Sequence, residues 1–337
     1  MEIKEIVSEL TWRDHLDHFL ARWSWKRNDH IVEPGLYALG KPTKESPVFV
    51  SANYTLSFDA LRSALKGVNG YILVINTYGI NVWCAAGKGT FGTDEIVRRV
   101  EATGLKDLVP HKKLILPQLG APGVKSFEVT RRTGFKVEYG PVRASDLPEY
   151  LKTNKATQEM RRVEFPLWDR AVLIPVEIVS FLFKTIIITI AAFLLGWAIP
   201  ALGGVIPALG AFTAAFGGLV LFPLLYPYLP TKDFSTKGFI LGLLLALPFA
   251  GYIYVSQVPT TNWSSTIWTV ASMLIFLLVM PTITAYPALN FTGATPYPSR
   301  TGVRKEIYRY IPAMAIMAVI GTIMLAALAA LNFLKVI

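Results

Sequence analysis

The stretch Tyr71-Ile-Leu-Val-Ile75, followed by Asn81-Val-Trp-Cys-Ala-Ala-Gly-Lys-Gly-Thr-Phe-Gly-Thr93, indicates the fold of the first half of the chain. An unbroken run of apolar and β-branched residues is typical of a strand buried on both faces, as in the parallel sheets of α/β domains. The second segment is rich in glycine and contains Cys84, the one cysteine of the chain. The pattern predicts a buried strand whose carboxyl end leads into a functional loop.

Short apolar runs alternate with amphipathic helical patterns on both sides of this strand. The predicted strands are Val48–Val50, Leu114–Leu116 and Phe135–Glu138, and the predicted helices are Ser57–Lys66, Val124–Thr133 and one that Thr93 caps before Asp94 and Glu95. Such alternation is typical of an α/β domain with a mostly parallel sheet, whose ligands bind at the carboxyl ends of the strands. Three loops are expected at that edge: Ala52–Tyr54, Thr77–Thr93 and Pro117–Gly123.

Charged residues become rare in the second half of the chain. Of 33 basic and 23 acidic side chains, only 8 and 3 lie beyond Arg170. The stretches between Lys184 and Lys232 and between Lys237 and Arg300 carry no charge, and each can hold two membrane helices of ~20 apolar residues. We predict an all-α transmembrane domain over 166–337, with five helices near 176–198, 205–225, 238–256, 266–285 and 311–334. The preceding domain is predicted over 1–165, with a core of about 33–150.

Basic residues are unevenly distributed among the predicted loops. They lie before the first membrane helix and after the second and fourth, whereas the two intervening loops are uncharged. Because cytoplasmic loops carry an excess of Lys and Arg, we expect a multi-pass protein of the cytoplasmic membrane. Its N-terminal domain would lie in the cytoplasm and its C-terminus outside, with membrane lipid as a partner. The basic excess of the first domain is mixed with acids throughout, which favours a solvated surface over a nucleic-acid-binding face.

Two glycine patterns in the chain are incomplete versions of phosphate-binding motifs. The glycines of 87–92 match GxGxxG, but that fingerprint needs a strand directly before its first glycine, and Trp83–Ala86 has a helical pattern instead. Gly35–Lys41 has P-loop spacing, but no strand is predicted before it and Pro42 replaces the required Ser or Thr. A single cysteine also excludes an internal disulfide, a zinc site built on cysteines and a self-contained iron–sulfur cluster.

Cys84 has three interpretations at this level: a buried small apolar residue, a metal ligand or a nucleophile. Lys88 lies one helical turn away and would favour the thiolate. A nucleophilic cysteine needs a histidine base, and of the four histidines only His111 is near a predicted ligand loop. Spacing alone leaves the three interpretations open.

Several segments of the first half resemble the corrinoid-binding domain of the corrinoid iron–sulfur protein large subunit. They are Glu33–Gly40, Val48–Phe58, Gly79–Thr93, Leu116–Val124 and Gly134–Leu147. Asn81–Lys88 is also similar to the cap-helix motif of the membrane-bound corrinoid proteins of mercury methylation. This chain has no cysteine-rich cluster segment and continues into predicted membrane helices, so its resemblance to the mercury-methylation family is the more complete. The fold it implies is a Rossmann-like corrinoid-binding domain fused to the transmembrane domain.

The resemblance implies a cobalamin-type corrinoid bound base-off, with Cys84 as the catalytic residue and as the ligand of the corrinoid cobalt. No Asp-x-His-x-x-Gly motif is present, so a histidine ligand is not expected. The expected cofactor-binding residues are the cap helix and the three loops: Asn81, Val82, Trp83, Cys84, Ala85, Ala86, Gly87, Lys88, Asn53, Tyr54, Thr90, Gly92, Thr93, Gln118, Gly120, Ala121 and Gly123. Turn formation alone is an alternative reason for the glycines.

The activity that the resemblance implies is a corrinoid-dependent methyltransferase, which moves a methyl group from methyl-Co(III) corrinoid to mercury(II) and forms methylmercury. Its implied partners are a methyltetrahydrofolate-dependent methyl donor and a ferredoxin-like protein with two 4Fe–4S clusters, because no iron–sulfur cluster is expected in this chain. One alternative is a membrane-anchored methyl carrier for an acetyl-CoA-pathway-like or other physiological acceptor. Another is a sensor or scaffold that binds a corrinoid without turnover.

Overall fold

The computed structural model describes residues 3–257 and 263–334. The chain forms two compact units, Met1–Glu164 and Phe165–Ile337, each with its own core. The end of the chain, on which the predicted location of the C-terminus depends, lies outside the described residues.

The first unit is a mixed six-stranded sheet covered by helices. Its strands are β1 (Lys4–Ile6), β2 (Gly35–Leu39), β3 (Val48–Ala52), β4 (Gly70–Ile75), β5 (Lys113–Leu116) and β6 (Lys136–Tyr139). Its α-helices are α1 (Trp12–Trp23), α2 (Thr55–Ala64), α3 (Val82–Lys88), α4 (Thr93–Ala102), α5 (Leu105–Leu108), α6 (Ser126–Thr133) and α7 (Leu147–Thr153). The strand order is β1-β2-β4-β3-β5-β6, and only the β2–β4 pair is antiparallel.

Side chains of the central strand β4 alternate between two apolar layers. Leu73 and Ile75 pack in the layer that includes residues of α3, α4 and α6, whereas Ile72 and Val74 pack in the layer beneath α2 and α7. All six residues of β4 are buried, as the unbroken apolar run predicts.

The strand order creates a topological switch point. From β3 the chain moves to β4 on one side and later to β5 on the other. In open α/β sheets of this kind, ligands bind outside the carboxyl ends of the strands at the switch point. The crevice therefore lies between the loops that follow β3 and β5.

The structure differs from the sequence prediction at two places. Gly35–Leu39, whose P-loop spacing was rejected as incomplete, is strand β2, which was not predicted, and four of its five residues are buried. Thr93 does not cap α4 but is its first residue, after Gly92 in extended conformation. The Thr93 hydroxyl instead accepts a hydrogen bond from the backbone N–H of Lys125 at 2.9 Å, so it joins α4 to the start of α6.

The second unit is helical. Its helices are α8 (Leu167–Ala171), α9 (Ile174–Ala198), α10 (Ile206–Phe216), α11 (Phe222–Leu225), α12 (Phe234–Ser256), α13 (Trp263–Phe291) and α14 (Arg300–Phe333), and a π-helical turn, Gly217–Leu221, joins α10 to α11. Five helical segments of the described chain are long and apolar enough to cross a membrane, consistent with a multi-pass membrane protein.

Several of the charged residues that flank these segments, among them Arg170, Lys237 and the cations of 300–309, lie in helices rather than in the predicted loops. Arg170 of α8 donates to the carbonyls of Pro223 and Leu224 at 3.2 and 2.5 Å. Lys237, in the first turn of α12, donates to the Tyr226 carbonyl at 2.5 Å. Both cations thus bind carbonyls at the end of the α10–α11 segment or directly after it, where the helix dipole favours positive charge. The Tyr226 carbonyl also accepts from the Leu229 N–H at 3.4 Å.

Candidate functional site

Helix α3 lies at the carboxyl edge of the sheet, after β4, and contacts both β3 and the turn Gln118–Gly123 that follows β5. Asn81 is its N-cap, and the Asn81 Oδ1 accepts from the backbone N–H of Cys84 at 2.9 Å. The helix ends at Gly89, whose φ of 86° suits glycine. This short helix therefore lies across the switch point, with both ends fixed by local signals in the sequence.

The loop before α3 is held by Asn53, which is 3% exposed. Its side-chain oxygen accepts from the backbone N–H groups of Thr77 and Gly79, at 2.9 and 3.1 Å, and from the Thr77 hydroxyl at 2.9 Å. A Cβ on Gly79 would lie 2.2 Å from the Asn28 carbonyl oxygen. Asn53, a predicted cofactor contact, thus uses its side-chain oxygen to shape the loop.

One side of α3 packs tightly against the turn after β5. Phe91 is fully buried, and a Cβ on Gly120 would lie 2.6 Å from its ring. A Cβ on Gly123 would lie 2.2 Å from the Phe91 carbonyl oxygen and 3.0 Å from the Ala86 Cα. A Cβ on Gly92 would lie 2.6 Å from the carbonyl oxygen of Gly89. Close packing therefore accounts for three of the predicted glycine contacts.

The other side of α3 is open. Gly87 and Lys88 are exposed, and nothing lies within 4 Å of a Cβ placed on Gly87. Glycine costs about 1 kcal/mol relative to alanine inside a helix, and neither packing nor a positive φ accounts for it at Gly87. A ligand that approaches the helix backbone closely would explain this glycine.

Cys84 is half-buried on this short helix. Burial raises the pKa of its thiol, and the positive charges of Lys88 and Arg27 and a hydrogen bond with Asn81 lower that pKa by less. Lys88 therefore favours the thiolate, as predicted, but the effect of burial is larger and the pKa of the Cys84 thiol is raised overall. A positively charged metal ion at the sulfur would compensate the desolvation that favours the thiol.

The remaining predicted residues divide into two groups. Tyr54 is buried and accepts from Arg27 Nε at 3.3 Å, and Gln118 accepts from Arg161 at 2.6 Å. Thr90 and Ala121 are partly exposed beside α3, and Val82 and Trp83 are partly exposed within it, whereas Ala85 of the same helix is buried in the core. The structure thus brings the three predicted loops together around α3, but several of their side chains serve the protein's own packing.

Arg27 is a residue that the sequence analysis missed. It lies in the segment between α1 and β2, with its guanidinium 5.6 Å from the centre of the Tyr54 ring. The sequence holds no local signal for it, because Arg27 and Cys84 are brought together only by the tertiary fold.

The donor set around α3 fits a corrinoid better than a bare metal ion. Among residues 3–257 and 263–334, no group of three or more His, Cys, Asp or Glu side chains is placed to hold a metal. A corrin macrocycle would supply most of the cobalt ligands itself, so one soft donor from the protein would suffice, and thiolate is such a donor. Cys84, the exposed Gly87 backbone and the crevice at the switch point therefore fit the group.

Residues 1–151 match the family model described as CO dehydrogenase/acetyl-CoA synthase delta subunit (CdhD). Among curated proteins, the chain is similar to the gamma subunit of the acetyl-CoA decarbonylase/synthase complex of Methanopyrus kandleri, with 34% identity over 37% of this chain and 27% of that protein. The corresponding subunit of Methanothermobacter thermautotrophicus is 32% identical over 44% of this chain and 31% of its own length.

The corrinoid/iron–sulfur protein large subunit of Moorella thermoacetica is 27% identical over 43% of this chain and 34% of that protein. The chain thus spans about a third or less of the length of these relatives. The matches relate the first unit, which contains α3 and the switch point, to subunits of acetyl-CoA decarbonylase/synthase complexes and of a corrinoid/iron–sulfur protein.

Proposed function

We propose that this chain is a membrane-anchored, corrinoid-dependent methyl-transfer protein. The position of Cys84, the one cysteine of the chain, carries the proposal. It is half-buried on a short helix that lies across the switch point of the sheet. The domain that contains it is related to corrinoid-protein subunits. The five apolar helices supply the anchor, with the first unit on the cytoplasmic side.

The residues of α3 have separate tasks in this proposal. Asn81 fixes the start of the helix and thereby the backbone of Cys84, whose thiolate would bind the cobalt of a base-off corrinoid. Lys88 and Arg27 stabilise the thiolate, and Gly87 gives the macrocycle access to the helix. A bound corrinoid would supply the cobalt centre for methyl transfer between a donor and an acceptor.

For the acceptor we propose mercury(II), which follows from the similarity of Asn81–Lys88 to the mercury-methylation proteins and from the membrane helices. Transfer of a methyl group together with its bonding electrons leaves the carrier two electrons short. Since one cysteine cannot hold an iron–sulfur cluster, the electrons come from a ferredoxin-like partner with two 4Fe–4S clusters. A methyltetrahydrofolate-dependent protein is the proposed methyl donor.

A physiological acceptor of the acetyl-CoA-synthesis type is the second candidate. The observation that favours it is the similarity of the first unit to the gamma subunits of acetyl-CoA decarbonylase/synthase complexes. Both candidates share the corrinoid and the role of Cys84, so an assay of the acceptor separates them.

The first test compares absorption spectra of the full-length protein, purified anaerobically and loaded with corrinoid. Cys84→Ala should retain a bound corrinoid but shift its cobalt bands, because one axial ligand is lost. Lys106→Ala, an exposed substitution on α5, is the control and should leave both unchanged. Identical spectra for wild type and Cys84→Ala would remove the thiolate from the site, and absence of bound corrinoid would refute the cofactor assignment.

The second test measures methyl transfer by the reduced, methylated protein to mercury(II). Loss of a metal ligand should cost more than the ~10–100-fold typical of the groups that orient such ligands. We expect methylmercury from wild type and from Lys106→Ala, and a more than ~100-fold slower rate from Cys84→Ala. Transfer only to an acetyl-CoA-type acceptor would establish the second candidate, and no transfer to either would indicate a sensor or scaffold.

A further inference from the structure

Helix α1 has the reverse of the usual amphipathic arrangement. Its polar side is directed into the first unit. Asp14 pairs with Arg62 at 3.0 Å, and His18 Nε2 lies 2.7 Å from Asp59 Oδ2. Ala21, on the same side, is fully buried. A helix on the surface of a soluble domain normally places its apolar stripe against the core, and α1 does not.

The outward side of α1 is apolar and aromatic. Trp12, Leu16, Phe19, Leu20 and Trp23 follow the i, i+4, i+7, i+8, i+11 spacing of one helical face, an arc of about 100°. Each is between 43% and 69% exposed. Contiguous exposed patches of this kind mark interaction sites.

This face is formed independently of any partner. A capping box between Thr11 and Asp14 begins the helix, and the Asp14–Arg62 ion pair and the His18–Asp59 contact fix its rotation about its axis. The rings of Phe19 and Trp23 lie 6.2 Å apart on the outside. The apolar arc is therefore a built surface, not a frayed end.

The charged residues beside the apolar arc of α1 indicate what kind of surface covers it. Arg13 flanks the arc on one side, and His15 and Arg22 on the other, whereas the acids of α1, Asp14 and Asp17, belong to the inward side. Tryptophan and phenylalanine flanked by basic residues are typical of helices that lie in the interface of a membrane with anionic lipids. A lipid surface thus complements both the apolar arc and its charged margins.

A lipid surface is also close to this unit through the chain itself. The Val142 N–H donates to the Met160 carbonyl at 2.8 Å, so the chain stays attached to the first unit as far as Met160. The first apolar segment begins at Leu167. The six residues between them span at most about 20 Å, and such a tether gives the first unit a high effective concentration at the bilayer.

We propose that the outward face of α1 lies in the headgroup region of the bilayer that holds the five apolar helices. The first unit then has a second, reversible contact with the membrane besides its covalent connection. This surface does not depend on a corrinoid, so its test is independent of the proposed function.

The test uses the full-length chain in lipid nanodiscs of neutral and anionic phospholipid, in a Cys84→Ala background that leaves no native thiol. One variant carries a nitroxide spin label at Phe19→Cys and a second at Leu16→Cys. The matched control carries the label at Lys106→Cys, an exposed position on α5. Helix α5 packs in the apolar layer on the face of the sheet opposite to α2. Collisional relaxation by oxygen, which concentrates in lipid, is compared with relaxation by a water-soluble nickel complex.

We expect oxygen to dominate at both α1 positions and nickel to dominate at the control. Replacing Arg13 by Glu should reduce the oxygen preference at the Phe19 label, most of all with anionic lipid. Nickel dominance at both α1 positions in nanodiscs would overturn the proposal. If the labels become inaccessible to nickel only when a soluble protein is added, the outward face of α1 binds a protein partner, and the proposal is also overturned.

Discussion

The two sides of α3 differ in a way that clarifies what a glycine near the candidate site signifies. On the packed side, Gly92, Gly120 and Gly123 are each required because a Cβ would collide with neighbouring atoms of the protein. On the open side, Gly87 has no neighbour that requires it. All four are alike in the sequence, and only the three-dimensional environment separates glycines that serve the fold from one that is free to serve a ligand.

Of the substitutions that test this difference between the two sides of α3, Gly123→Ala should have the largest effect. Its methyl group would meet the Phe91 carbonyl oxygen, a backbone atom that cannot rotate away. We expect a loss of about 1–3 kcal/mol in the stability of the first unit, measured as a lower denaturation temperature by circular dichroism of the detergent-solubilised chain. An unchanged denaturation temperature would show that the turn after β5 can move away from α3.

Gly87→Ala should increase the stability of the first unit but decrease its binding of corrinoid. Without corrinoid, the first unit should gain up to about 1 kcal/mol, because alanine is the better helix former and its methyl group meets nothing. With corrinoid, the same methyl group should lower the amount bound at saturation. If the variant is stabilised and still binds the full amount, the open side of α3 is not the cofactor surface.

Arg27→Gln should have the smallest effect, a shift in the reactivity of Cys84. The rate at which iodoacetamide alkylates the cofactor-free protein follows the thiolate fraction. Because burial raises the pKa of Cys84, the midpoint pH, at which the alkylation rate reaches half its maximum, should be higher than for an ordinary cysteine. Arg27 lowers this pKa, so its removal should move the midpoint to higher pH.

Lys106→Gln, which leaves the charges near Cys84 intact, should keep the wild-type midpoint. Since Cys84 is the one thiol of the chain, alkylation reports on this residue alone. A midpoint for wild type at or below that of an ordinary cysteine would contradict the dominance of burial.

Local signals predicted much of the first unit. The apolar run of β4 gave a strand buried on both faces, and Trp83–Ala86 gave a helical turn because small residues follow an asparagine suited to the N-cap. β2 was missed because the glycines at 35 and 40 suggested a different motif, although this strand is as long as β3, which was predicted. The roles of Asn53 and Arg27 depend on contacts across 24 or more residues of sequence, which no local pattern contains.

In the second unit, charge spacing predicted the number of apolar segments but not what the charges at their margins do. Lys237 lies in a helix and binds a backbone carbonyl, and Glu306 accepts from the backbone N–H groups of Phe234 and Ser235 at 3.2 and 3.0 Å. Helix ends leave backbone groups without hydrogen-bond partners within the helix. Side chains distant in sequence supply these partners here, so the contacts depend on the tertiary structure.

The solitary thiol has a consequence for the behaviour of the protein in air. Oxidation of Cys84 to a sulfenic acid cannot be followed by an internal disulfide, because the chain has no second cysteine to resolve it. The oxidised residue must react with an external thiol or a second copy of the chain, or else proceed to the irreversible sulfinic acid. The raised pKa of the thiol slows the first step, and a metal bound to the sulfur would protect it further.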